Sequence, residues 1–185
     1  DIYTRDLLLK KGIKAYFSGC LTLSLGLKYS SKVRNGGCYV VDPIIPEGKN
    51  VLSLIRDLLF LLNHNNISKK TSKKLFVHTS IRYRLKASRF LRLYSKVFDL
   101  ESLVNATYIN QQTEYYAAHF KSDFELLKEA ERLVCLYSQA KMVITSRSHC
   151  ALPCLGLNTP VYFIHRRDGS EISSCRFGGL VELFN

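Results

Sequence analysis

The chain has 185 residues, 46% apolar and 23% charged, so it is long enough to bury its own core and too ordinary in composition to be fibrous or wholly disordered. No apolar run reaches the ~18 residues of a membrane-spanning helix, and the start has no signal-peptide h-region, so a soluble, cytoplasmic protein is expected. The formal charge of +12 is local: ten Lys or Arg and no acid fall between Lys69 and Lys96, which favours one basic feature over a generally basic, nucleic-acid-binding surface.

In chain order, Arg5–Lys11 reads as a helix with Thr4 as N-cap and Gly12 past its end. Ile13–Leu23 reads as a buried strand running into a turn, with small residues at Ser18, Gly19 and Cys20 where another element can approach closely. Cys38–Val41 is a second strand, stopped by Asp42-Pro43. Apolar residues at 51, 52, 54, 55, 58, 59 and 62 have a helical period and predict a helix over Asn50–Leu62. The polar stretch 63–74 is expected as a loop, its residues 65–74 a mobile basic one, followed by a short strand at Leu75–Thr79.

Ile81–Phe98 predicts a basic amphipathic helix: Arg82, Lys86, Arg89, Arg92 and Lys96 fall on or near one face and Tyr83, Phe90, Leu93, Tyr94 and Val97 cover the other. Ala106–Asn110 is a strand, and Ser122–Gln139 a long helix with a capping-box spacing between Ser122 and Glu125. Met142–Thr145 is a buried β-branched strand leading through Ser146–His149 into the helix-like CALPCLGL, and Asn158–Pro160 turns the chain into a strand at Val161–Ile164. A polar loop at Arg166–Ser173 precedes RFGGLVELF, a turn and short helix. Strands separated by helices predict an α/β fold, a Rossmann-like parallel sheet with helices on both faces.

The six cysteines include no C-x-x-C pair and read as reduced core thiols. His149, Cys150 and Cys154 lack the second ligand pair of a zinc site, so no metal and no cofactor is expected. Ser146–His149 is the informative tetrapeptide. In doubly wound sheets, ligands collect at the carboxyl ends of strands, where the next helix presents unpaired N–H groups. Arg147 adds a charge that suits a phosphate or carboxylate, and His149 titrates in the working range. An isolated S-R-x-H is equally consistent with Arg147 paired to a carboxylate and His149 capping a helix. The residues themselves support an anion site and name no reaction.

The segment VITSRSHCALPCLGLNTPVYFI resembles the signature of the polysaccharide pyruvyl transferase family. TRDLLLKKGIKAYFSGCLTLSL resembles that family's R-D helix and S-G-C-L-T-L strand, and RFGGLVELF its closing R-F-x-G-L segment, while residues 49–105 carry little of it. The resemblance implies the C-terminal half of a GT-B-type two-domain fold, so residues 1–185 are expected as a single α/β domain of a larger enzyme, one that binds donor without completing catalysis alone. It also implies pyruvyl transfer from phosphoenolpyruvate to two hydroxyls of a sugar in a polysaccharide or lipid-linked glycan. Ser146, Arg147, Ser148 and His149 would bind the donor, with Arg147 and His149 catalytic, and Arg5 would be a further donor contact. The chain departs from the pattern at Ser148, where an apolar residue is usual, and at Tyr108–Gln111, where some members have a strand ending in His.

The Lys69–Lys96 window reads either as a solvated face or as docking to an anionic membrane surface, which would make the protein peripheral at the inner face of the membrane. Two other functions compete: a nucleotide-sugar glycosyltransferase with Arg147 on the diphosphate, and a non-enzymatic nucleic-acid-binding domain. No named nucleic-acid motif appears, and nucleic acid is not an expected partner.

Overall fold

The computed structural model describes residues 1–48 and 50–164. β1 (Cys38–Val41), β2 (Thr107–Ile109), β3 (Met142–Thr145) and β4 (Val161–Phe163) form one parallel sheet in the order β2-β1-β3-β4. Val41 lies opposite Ile109 on one side and Thr145 on the other, so the carboxyl ends are level. Alternation sorts the side chains: Val40 and Ile144 join one core with Phe90, Leu91 and Leu103, while Tyr39, Val41 and Val143 join another with Leu133, Cys150 and Leu157. Both faces are covered, which is why these strands read as unbroken apolar runs. The chain leaves β1 for β2 on one side and returns to β3 on the other, placing a topological switch point between β1 and β3.

α1 (Ile2–Lys10) starts earlier than the sequence suggests, with Asp1 as its cap: the carboxylate accepts the Thr4 amide at 2.8 Å. The strand expected over Ile13–Leu23 does not form. Gly19 turns with φ +73°, Leu21–Ser24 closes as a 3-10 turn and Gly26–Tyr29 follows as α2. With Ile13 51% and Tyr16 89% exposed, the segment's apolar residues lack the neighbouring strand that a buried strand requires.

Four helices cross from β1 to β2: α3 (Val51–Asn63), α4 (Asn65–Phe76), α5 (Ile81–Tyr94) and α6 (Leu100–Asn105). α4 corrects the loop expected at 65–74 and the strand expected at Leu75–Thr79. Its buried face is Ser68, Thr71 and Ser72, at helical spacing but polar, so hydropathy could not register it. Leu75 and Phe76 finish the helix, and Val77 caps it with φ +61°. The basic face expected on α5 is also corrected, because Arg89 and Arg92 are not presented to solvent. Both pair with Asp57 of α3, a carboxylate with no exposed surface, at 2.5 and 2.8 Å.

α7 (Thr113–His119) and α8 (Asp123–Ser138) return the chain to β3, and α9 (Ser148–Gly156) joins β3 to β4. Ser122 caps α8 as expected, but Glu125 reaches back one residue further, to the Lys121 amide at 2.7 Å. The expected loop at Arg166–Ser173 and helix within Arg176–Phe184 lie outside the described residues. No helix among those described is long and apolar enough to cross a membrane.

Candidate anion site at the switch point

β3 delivers Ser146 and Arg147 beside Asp42, the residue that follows β1. Asp42 has φ +41°, uncommon for a non-glycine, and its amide, its carbonyl and one carboxylate oxygen are all engaged. Its amide donates to the Ile109 carbonyl at 3.2 Å, and its own carbonyl accepts the Ser146 hydroxyl. Its carboxylate accepts the Gln111 amide at 3.1 Å and Nε of Arg147 at 3.0 Å. Thr145, fully buried, accepts the Arg147 amide at 3.0 Å. Arg147 is therefore fixed at both backbone and side chain. It makes no other side-chain hydrogen bond among the described residues, which leaves its two terminal nitrogens for a ligand.

The carboxylate alternative is met in part, since Arg147 has an acidic partner while no side chain among the described residues caps α9. Arg147 does pair with a carboxylate, but through Nε alone and at the mouth of a cavity of about 1010 Å³. Asp42, Asn110, Ser146 and Arg147 line it at the strand ends, Lys74, His78 and Tyr83 on the side of α4 and α5, and Tyr115, Glu129 and Arg132 on the side of α7 and α8. Several of these charges are already spent. Lys74 donates to the Val104 and Ala106 carbonyls at 2.8 and 2.9 Å, and burial, then the charge of Lys70, lowers its pKa. Arg132 forks onto Glu129 with two bonds of 2.7 Å, and that hydrogen bonding raises its pKa.

The other expected site residues are distributed differently. Ser148 and His149 open α9, and their side chains make no hydrogen bond among the described residues; His149 is exposed and does not line the cavity. Arg5 lies on α1, which contributes nothing to the cavity, and Asp6 holds its guanidinium at 2.6 Å. Asp42 and His78 are cavity residues that sequence reasoning missed. An acid following a buried strand and preceding proline was the available signal for Asp42. His78 had none, since its imidazole reaches the cavity only by stacking on Tyr83 at 5.0 Å after an unforeseen helix.

α9 is held from behind by the other expected motif. The 3-10 turn at Leu21–Ser24 packs on it. A Cβ on Gly156 would lie 2.5 Å from the Thr22 carbonyl oxygen, and one on Gly26 would lie 2.1 Å from that of Gly156. The two segments meet backbone to backbone, which only glycine permits. Below them Cys150 and Cys154 are buried free thiols, and Cys154 is pushed well above the usual thiol range by its hydrogen bond with Cys150 and by burial. No group of three or more His, Cys, Asp or Glu side chains among the described residues is placed to hold a metal ion.

In comparison with known proteins, one family model, described as polysaccharide pyruvyl transferase, matches residues 1–167. No curated protein and no solved structure matches. The matched span contains the α1 segment, the turn that packs on α9, and the whole of Ile144–Pro160.

Proposed function

The chain belongs to the polysaccharide pyruvyl transferase family, and on that premise we propose that the switch-point cavity takes phosphoenolpyruvate as donor and a sugar of a polysaccharide or lipid-linked glycan as acceptor. The observation that carries this reading is Arg147: Asp42 anchors it by Nε and its remaining nitrogens border a cavity large enough for both substrates. The terminal nitrogens suit a phosphate or carboxylate in a planar fork. The first amides of α9, at Ser148 and His149, add donors and the positive end of the helix dipole.

The chemistry needs a proton on the methylene carbon of phosphoenolpyruvate, which makes the adjacent carbon electrophilic. One sugar hydroxyl adds there, the phosphate leaves, and the second hydroxyl closes the ketal, the two hydroxyl protons passing to the acid and the phosphate. In this scheme Arg147 holds the departing phosphate and His149, two residues on and exposed at the start of α9, supplies the proton. Arg5, which does not line the cavity, is given no step in this scheme. The reaction would proceed in the cytoplasm, where phosphoenolpyruvate is supplied.

The test is phosphate release on incubating the protein with phosphoenolpyruvate and candidate lipid-linked sugars, with a nucleotide sugar as the competing donor. Release from the nucleotide sugar alone would overturn the donor assignment. His149→Ala with near-normal turnover and weaker donor binding would reduce His149 to a phosphate contact.

A further inference from the structure

α3 is built inside out. Its inward side carries Ser53 and the fully buried Asp57, which engage Arg92 and Arg89 of α5, with Leu61 buried and Phe60 packed on the core toward its end. Its outward side carries Val51, Leu52, Ile55, Leu58, Leu59 and Leu62, at helical spacing and 39–75% exposed. A soluble helix normally turns these two faces the other way. Contiguous apolar surface of this kind marks a site of interaction.

The surroundings of the stripe select its partner. From residue 50 to residue 98 there are eleven Lys or Arg and a single acid, Asp57, already neutralised in the seam. Arg56 on α3, Lys69 and Lys73 on α4, Arg82 and Lys86 on α5, and Lys96 just beyond are all exposed. An exposed apolar stripe with uncompensated cations on the same group of packed helices is the composition of a surface that lies in a membrane interface. A second copy docked on the same face would set cations against cations with no exposed acid from this region to offset them.

We infer that α3 docks the protein onto an anionic lipid bilayer, its apolar side chains in the acyl boundary and the surrounding Lys and Arg among the headgroups. The helix lies on the surface: 13 residues span about 20 Å, short of the roughly 30 Å hydrocarbon core. No α3 residue lines the cavity, so the inference stands whichever donor the cavity takes. Pro43, Ile44 and Ile45, in the connection from β1 to α3, line the cavity.

The sequence has no tryptophan, so Leu58→Trp places a single indole on the face. The whole chain carrying it should sediment with phosphatidylcholine vesicles that contain phosphatidylglycerol, and its emission should shift to the blue and be quenched by brominated acyl chains. Binding should weaken with salt, by about fivefold for each of Arg82→Ala and Lys86→Ala, and by more than ~tenfold for Ile55→Glu/Leu59→Glu. Circular dichroism checks that the glutamate variant is folded, and the quenching result stands without it. Sedimentation without quenching, binding indifferent to the glutamates in a folded variant, or light scattering showing a dimer that does not bind vesicles would each overturn the inference.

Discussion

On one side of the sheet, α8 and α9 meet Tyr39, Val41 and Val143 through Leu133, Cys150, Cys154 and Leu157, and the seam is apolar. On the other side the sheet itself is met by apolar side chains, but α3, α4 and α5 are tied to one another by Asp57 with Arg89 and Arg92 and by Ser68 with Ser88, beside the Phe76–Tyr83 ring contact. Apolar packing is non-directional and fixes α9 by shape. The polar seam is directional and stabilises only while each member has a partner. Two of its atoms, Oγ1 of Thr71 and Nε of Arg84, are buried with none among the described residues. The side that carries the Ser146–His149 turn is thus held by apolar packing, and the α3–α5 side depends more on charge and hydroxyl geometry.

The largest test of this contrast is Asp57→Ala. It leaves Arg89 and Arg92 uncompensated with only 16 and 18% of their side chains exposed, and losing one partner from such a buried pair costs about 3–5 kcal/mol. Urea denaturation measures it; a loss below ~1 kcal/mol would mean that the seam behaves as a surface salt bridge. On the opposite side, Gly156→Ala forces a Cβ to within 2.5 Å of the Thr22 carbonyl oxygen and 2.8 Å of the Leu23 Cα. Backbone cannot rotate away, so the cost should reach the upper part of the 1–3 kcal/mol range for overpacking, about 3 kcal/mol. Gly26→Ala meets the same contact from the other strand of chain, and the double variant should cost less than the sum in thermal melts.

Arg147→Ala breaks the contrast where function needs it broken, since it removes a charge from the end of the apolar side. Arg147 is 45% exposed and Asp42 keeps the Gln111 amide, so stability should change by less than ~1 kcal/mol. Donor binding should fall by about 30-fold to 100-fold, the equivalent of about 2–3 kcal/mol for charge-assisted bonds. Isothermal titration with phosphoenolpyruvate reads the effect. Asp42→Asn should give a smaller loss, because the amide oxygen still accepts from Nε but no longer offsets the charge.

The same contrast decides what could be read from the residues. Cys38–Val41, Met142–Thr145 and the Ser122 cap announce themselves by β-branched runs and capping spacing, and the strand-end position of Ser146 and Arg147 follows from them. α4 was hidden because its buried positions are serines and a threonine. α3 was found from its apolar period, but that period marks the exposed face, so its orientation would have been read backwards. The strand expected at Ile13–Leu23 failed because apolar content does not supply a pairing partner. The pairing of Arg147 with Asp42 spans 105 residues and depends on sheet order, which no local pattern encodes.

Tyr94, within the α3–α5 side, gives the smallest predicted effect. It lies on α5, 7% exposed, and donates its hydroxyl to the Ile44 carbonyl at 2.9 Å, in the segment that leads from the cavity to α3. Burial raises its phenol pKa to about 12. The unfolded chain ionises this group near 10, so the fold favours its neutral form. That contribution is fully present below pH ~10 and is lost as pH rises toward ~12. Tyr94→Phe should cost about 1 kcal/mol at neutral pH, the net worth of one hydrogen bond. Between pH ~10 and ~12 the wild-type stability should fall more steeply than that of the variant, so the two denaturation curves converge. Parallel curves through that window would show that the Tyr94 hydroxyl is in contact with water, and that the segment from Ile44 to α3 is not pinned to α5 at this point.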